Sequence, residues 1–468
     1  MFRSNEVQLS ADNHLHLADH LVGVFFEEPD HDPFELSSIF NFTRDKDEGK
    51  QKAHDRIVTY IQASFAEQHR TFLLVLLVME KWVRIIRCDR EGVATTPAIN
   101  YVQQWTWFAE VLQRISILAK HAPECIGFDP TATRIYPDDP RWTIMDNATL
   151  FQDGDMNILE RVLSDGEATE PFTWKYARQI FQSTLEDASS ARYELTVPDE
   201  TEEDGLRRFL VGDAHYVAPL DRGAGPGCRG YLALDVRSGE FTWLKDVWRL
   251  DCGDGVDREG EILAKLNAGG VNNVPTLLCH GDVNGHRTQT VSLWRLFGPD
   301  SWQQWVKDAT AALPNAIKRD SEYWEPNYSG FKVPHIPGFR HYRLVTREVC
   351  MSLWRFTNPR QLLTLVNDCI SGASRTYHTG RVFTESHFTA HHEAWSRINV
   401  LHREVNDNAV RILPRVVTRA DGSGVREIVW QGMLTNWEWA ADVTPGSSAK
   451  EPPKIVSYTP ATPRIACD

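Results

Sequence analysis

The sequence predicts an α+β fold, on three observations. Between Thr71 and Arg87 run two apolar, strand-like stretches separated by Glu80 and Lys81. Residues 51–66 and 101–120 instead space their apolar groups as a helix does. Of the 468 residues, 42% are hydrophobic and 24% charged, which is close to globular averages and enough to build a packed core.

The elements follow in order. QKAHDRIVTYIQASFA (51–66) suits a helix, and 71–87 two strands with a turn at Glu80-Lys81. YVQQWTWFAEVLQRISILAK (101–120) predicts a buried amphipathic helix. VPDETEEDG (197–205) is acidic, has one proline and no apolar residue after Val197, and is expected to be a linker. Residues 222–249 predict a Gly-rich turn between strands, and 256–268 a helix. Residues 298–340 combine proline, tryptophan and charge without periodicity, as an inserted loop would. Helices are expected over 360–370 and 389–398, and an extended tail from Thr444.

Composition narrows the function classes. Lys and Arg total 50 against 64 for Asp and Glu, a net charge of −14, so no general affinity for nucleic acid or anionic lipid is expected. The longest apolar run, Phe72 to Met79, falls well short of the ~20 residues a membrane helix needs. MFRSNEVQLSADNH, at the start, has no apolar core like that of a signal peptide. The eight cysteines form no CxxC pair, so neither a disulfide framework nor a zinc site is expected from spacing. Reduced thiols and an intracellular setting, cytoplasm or nucleus, are the expectation.

The residues that carry chemistry come late in the chain. DRGAGPGCRGYLALD, from Asp221, places Gly223, Gly225, Gly227 and Gly230 between two strand candidates. FTWLK (241–245) is a short apolar strand that ends in Lys245. REGEILAKL follows, and its Glu259 shares a helical face with Ile262 and Leu266; Glu261 is the fallback. Farther on stand VLHREVNDNAVRI, with His402, Arg403, Glu404 and Ala409, and GMLTNWEWA, with Asn436.

Taken as an ordered set, these segments resemble the fungal-type protein kinase family. The resemblance rests on LKDVWR (244–249), EGEIL, HYRLV (341–345), the HRE loop at 402–404 and the N-W-E turn at 436–438. In the part before the kinase lobes it rests on QHRTFLLVLLVMEKWVRIIRCDREG (68–92) and GFDPT (127–131), so that it covers residues 50 to 458. It implies a protein-kinase-like two-lobed fold with an incomplete C-terminal lobe, preceded by an α+β N-terminal extension. The expected division is 1–200 for the extension, 206–355 for the smaller lobe with its insertion at 298–340, and 356–468 for a partial larger lobe.

The implied activity is ATP-dependent phosphorylation of Ser or Thr in proteins, with ATP and Mg²⁺ as cofactors if the chain is active. Gly223, Gly225 and Gly227 would let backbone N–H groups approach the phosphates, Lys245 would bind them, and Glu259 would hold Lys245. The loop H-R-D-x-x-x-x-N corresponds to His402, Arg403 and then Glu404 at the base position, with Ala409 at a metal position. The other metal position is Asn436.

The chain departs from the family where the chemistry is done. Glu404 adds a methylene to a base that must sit within ~3 Å of its hydroxyl. Ala409 has no ligand atom in its side chain, and Asn436 is neutral where Mg²⁺ takes a carboxylate. Asn408 would substitute for residue 409 only if the loop shifted by one. Asp468 comes 32 residues after Asn436, which leaves little chain for an activation segment, and RTYHTGRVFTESHF (375–388) interrupts the helix before the catalytic loop. The expectation is a kinase-like protein with weak or lost catalysis. The alternative is a pseudokinase that binds protein partners without catalysis.

Two further signals carry less. His-Gly-Asp (280–282) has Arg287 where a small-molecule phosphotransferase needs Asn, and reads as a loop between strands. His387, His391, His392 and Glu393 include an i, i+4 histidine pair but no HExxH, and read as a polar helix face.

Overall fold

The computed structural model describes residues 17–34, 47–164, 166–168, 172–186, 190–218, 227–251, 257–290, 292–293, 338–370, 390–419 and 421–443. Gly223 and Gly225, residues 298–337 of the expected insertion, the 375–388 segment, His387 and the tail from Thr444 lie outside these residues. The chain divides into two compact units. The first takes Met1–Leu250, Thr276–Cys350 and Leu413–Trp430; the second takes Asp251–Pro275, Met351–Ile412 and Gln431–Asp468.

In the first unit, β1 (Gly23–Glu27), β2 (Leu73–Met79), β3 (Trp82–Asp89), β4 (Gly92–Thr95) and β5 (Ile99–Asn100) share one sheet, with β1 parallel to β2 and the other pairs antiparallel. Period two along β2 sets Leu73, Val75, Leu77 and Met79 against Ile57, Ile61 and Phe65 of α1 (Glu48–Glu67). Leu74 and Leu76 take the opposite face, with Ile115 of α2 (Trp105–His121) and Leu21, Val22 and Ile126. A strand covered on both faces is apolar throughout, which is why this segment reads as one unbroken run. Glu80 turns the hairpin with a positive φ of 45°. Helix α1 begins at its cap, where the Asp47 carboxylate accepts from the N–H groups of Gly49 and Lys50. Helix α2 departs from expectation: it buries only Ile115, while Trp105 and Ile117 are 67% and 51% exposed. One narrow stripe on one sheet face is all it covers.

The chain continues through β6 (Ala132–Ile135), α3 (Pro140–Thr149), β7 (Arg161–Val162), α4 (Lys175–Ser183), β8 (Arg192–Pro198), β9 (Leu206–Val211), β10 (Tyr216–Ala218), β11 (Cys228–Asp235) and β12 (Phe241–Leu250). Helix α5 (Glu259–Ala268) belongs to the second unit, and β13 (Leu277–Arg287) and β14 (Phe339–Thr346) return to the first. An antiparallel sheet in the order β13-β14-β12-β11-β9-β8-β6, with β10 on β11, unites these strands apart from β7.

Its core side carries Tyr193, Leu195, Val197, Phe209, Val211, Tyr231, Ala233, Leu244 and Val345. Residues 197–205, expected to be a linker, instead join β8 to β9 as a hairpin. Asp199 accepts from the N–H and hydroxyl of Thr201, and its own N–H donates to Gly205. The acidic residues are the polar loop of that hairpin. His280-Gly281-Asp282 is likewise no loop: it lies inside β13, where Arg249 clasps Asp282 through both oxygens and Tyr342 meets His280 at 3.0 Å.

The second unit contains α5, β15 (Met351–Ser352), α6 (Pro359–Ile370), α7 (Ala390–Ile398) and β16 (Val400–Leu401), which pairs with β19 (Ala441–Asp442). Between the last two run β17 (Val410–Thr418) and β18 (Arg426–Leu434), and the unit boundary passes through both. Glu393, one of the expected polar helix-face residues, is fully buried on α7 and accepts from the Asn272 N–H at 2.6 Å and from Arg397. No described helix is long and apolar enough to cross a membrane.

Candidate functional site

In the second unit the loop 402–409 and the turn 434–437 are held together by main-chain hydrogen bonds. The Thr435 N–H and hydroxyl both donate to the Ala409 carbonyl, at 2.8 and 3.0 Å. Asn436 adopts the left-handed conformation (φ 61°), and its side-chain amide donates to the Asn408 carbonyl at 3.3 Å. The Asn406 side chain closes the loop from within by accepting from the N–H groups of Asn408 and Ala409. Thus loop positions far from the turn in sequence are brought to it by β17 and β18, which are neighbours in one sheet.

His402 is fully buried and fixes the same assembly. Its Nε2 donates to the Thr435 carbonyl at 2.7 Å, its Nδ1 accepts from the Glu404 N–H at 3.3 Å, and its ring meets that of Trp437 edge-on at 4.6 Å. Burial pushes the His402 pKa down, against the pull of the Thr435 carbonyl, so the ring stays neutral with one donor and one acceptor nitrogen. Trp437 is also fully buried. Its main-chain N–H donates to Glu259 Oε1 at 3.0 Å, and its indole N–H to the Leu434 carbonyl at 2.8 Å. Of the expected site residues, Glu259, His402, Ala409 and Asn436 therefore lie within one connected network. Arg403, at a positive φ of 69°, and Glu404 stand exposed on the loop.

Neither expected metal position, Ala409 or Asn436, offers Mg²⁺ an anionic side-chain oxygen. That ion is hard and takes anionic oxygens. Ala409 is buried, and its carbonyl already accepts two hydrogen bonds. Asn436 offers a neutral amide whose nitrogen is committed to Asn408. The Asn408 carbonyl accepts from Arg411 as well, and its N–H is held by Asn406, so the loop stays in register rather than shifted by one.

Lys245 and Gly227 belong to the first unit. Lys245 is buried on β12, in register with Gly230 of β11 and Leu344 of β14. Gly227 precedes β11 where a Cβ would fall 1.8 Å from an Arg90 guanidinium nitrogen, so a larger residue there requires that arginine to shift.

A second polar assembly was not legible residue by residue. Asp246, next to Lys245, faces the core side of the sheet, in register with Arg229 on one neighbouring strand and Arg343 on the other. Its carboxylate accepts from Arg229 at 2.7 Å, from Arg343 at 3.3 Å and from His341 Nε2. Arg343 spans onward to Asp129 at 2.7 Å, and Arg229 meets His69 Nδ1 at 2.9 Å. Burial opposes ionisation of Asp246, but His341, Arg343 and Arg229 beside it outweigh that burial and hold the acid well below the usual carboxylate range. Asp129 is depressed in the same way, burial being outweighed by Arg343 and His341. The segments that carried the family resemblance (QHRTF, GFDPT, LKDVWR and HYRLV) each supply a member. Only their joint presence as motifs pointed here.

A family model described as fungal protein kinase matches residues 27–167 and 225–384. Neither curated proteins nor solved structures yield a match.

Proposed function

Because the chain belongs to the fungal protein kinase family, we propose that it is a kinase-like protein that has given up metal-dependent phosphoryl transfer and acts by binding a protein partner. The proposed architecture is the two-lobed kinase arrangement. In it Lys245 meets the nucleotide phosphates with Gly223, Gly225 and Gly227. The observation that carries the reading is the donor set at the two metal positions. A buried alanine whose carbonyl is doubly used, and an asparagine tied to Asn408, leave no anionic oxygen for Mg²⁺. Phosphoryl transfer depends on that ion for charge stabilisation and positioning. Protein is the proposed partner class, in keeping with the acidic net charge of −14, which disfavours nucleic acid and anionic membranes. An intracellular setting is proposed on the same terms.

Retention of catalysis is the second reading. It is favoured by the intact lacing of His402, Thr435, Trp437 and Glu259, and by the exposed carboxylate of Glu404. Calorimetry with ATP, with and without Mg²⁺, separates the two. We expect no strengthening by Mg²⁺ and no transfer of phosphate to protein. Binding that tightens tenfold or more with Mg²⁺, together with phosphate incorporation, would restore the enzyme reading. In the triple variant Glu404→Asp, Ala409→Asn, Asn436→Asp, a gain of Mg²⁺-dependent ATP binding is expected. Lys245→Met should weaken any ATP binding by roughly tenfold, the loss of one charge-assisted phosphate contact.

A further inference from the structure

In the first unit, three side chains from distant parts of the chain converge on one small volume. Asp129 follows the Gly127 turn, His286 lies near the end of β13, and His341 sits on β14. One ligand atom from each falls within 4.8 Å of the others. His286 Nδ1 and His341 Nδ1 face one another at 3.3 Å, with their rings stacked at 9° and 5.6 Å between centroids. The Asp129 oxygens lie 3.9 Å from His286 Nδ1 and 3.8 Å from His341 Nδ1. A tetrahedral ion at ~2.1 Å from each ligand would space those ligands about 3.4 Å apart, close to the separations observed.

The surroundings also suit a metal. His341 gives its other nitrogen to the Asp246 carboxylate. That outer hydrogen bond fixes the tautomer and leaves the Nδ1 lone pair aimed at His286, the arrangement of a metal-bound imidazole and its supporting carboxylate. Trp248 stacks on His341 at 4.8 Å and 2° and locks the ring plane. Arg343 and Arg229 balance the charges of Asp129 and Asp246. Asp129 already accepts from the Thr131 N–H and hydroxyl and from Arg343, so the ion would share this carboxylate with them. His286 is the least buried of the three, its side chain 12% exposed, and gives the ion a way in.

We propose that Asp129, His286 and His341 form a binding site for a single zinc-class divalent transition ion. Two imidazoles and one carboxylate are ligands of that class rather than of Mg²⁺ or Ca²⁺. The site is separate in composition from the 402–409 loop and the 434–437 turn, and it does not rest on the kinase reading. Its ligands lie more than 50 residues apart along the chain, which is why spacing in the sequence offers no zinc signature.

The test uses the full chain, free of any tag and treated with EDTA, titrated with ZnCl₂ and separately with CoCl₂. We expect one equivalent bound, a visible Co²⁺ absorption band of low coordination number, and a melting temperature raised by about 3 °C or more at saturation. His286→Gln should weaken Zn²⁺ binding at least 100-fold while leaving the metal-free melting temperature nearly unchanged. The double variant His391→Ala, His392→Ala should bind as the wild type does. If the His286 variant melts early, imidazole nitrogen NMR of the wild-type chain gives the answer without substitution, since both Nδ1 signals must move on addition of Zn²⁺. No stoichiometric binding, unmoved Nδ1 signals, or equal affinity in the folded His286 variant would overturn the proposal and leave a histidine pair sharing an N–H···N hydrogen bond.

Discussion

Asp246 and Lys245 are neighbours in sequence, both buried, and take opposite faces of the sheet. Alternation along β12 sends Asp246 into the core side of the sheet, where two guanidinium groups and two histidine rings surround it. A row of Arg229, Asp246 and Arg343 across three strands alternates in sign, the favourable cross-strand order. Removing one partner from such a row leaves the others charged and buried. Arg343→Met is therefore expected to destabilise the first unit by about 3–5 kcal/mol, read from the denaturant midpoint. Arg343→Lys should recover only part of this, because one ammonium cannot reach Asp246, Asp129 and the Thr131 and Thr196 carbonyls as the planar fork does. A lysine variant as stable as the wild type would show that charge alone matters there.

Among the elements, those with strong local patterns match their sequence reading, and those set by neighbours do not. The hairpin β2–β3 and the helices α1, α5, α6 and α7 form close to where periodicity puts them. Helix α2 has the apolar spacing but only one narrow partner, and 197–205 has a linker's composition but two strands to join. The segments 68–72 and 127–131 offer no pattern to suggest that they meet. They bond through Thr71 N–H to Gly127 O, Asp129 N–H to His69 O, and the Arg70 guanidinium over the Phe128 ring at 3.4 Å. Gly127 permits this contact. Its φ is +96°, and a Cβ would lie 2.0 Å from the Phe72 carbonyl oxygen. Gly127→Ala should cost about 1–3 kcal/mol, measured by thermal or chemical unfolding, and a neutral result would mean that the backbone yields there.

For the whole molecule, the buried ionisable groups set a pH dependence with a definite sign. Burial, and then the Arg229 charge, push the His69 pKa well below its ordinary value, and burial lowers His286 and His402. The unfolded histidines take up protons near pH 6.5 that the folded ones refuse, so stability falls as pH drops below that point. Asp129 and Asp246 are depressed in the folded state. Their contribution is present above about pH 4, the unfolded carboxylate value, and is lost as pH falls through their folded values. Melting temperature should thus be level above about pH 7, decline between about pH 6.5 and 5, and decline again below about 4. A profile flat down to pH 4 would contradict the buried neutral state of the histidines. By itself the sequence determined the α+β class, the main helices, the first hairpin, the family, and the departures from the family motifs at 409 and 436, because each is written in local periodicity or in the identity of a residue within a motif. Only the tertiary structure decided that Asp129, Arg229, Asp246, His341 and Arg343 form one buried network, that His286 meets His341, and that Asn408 stays in register. These depend on contacts across up to some two hundred residues, and which residues face one another across such separations is a property of the folded chain rather than of any stretch of it.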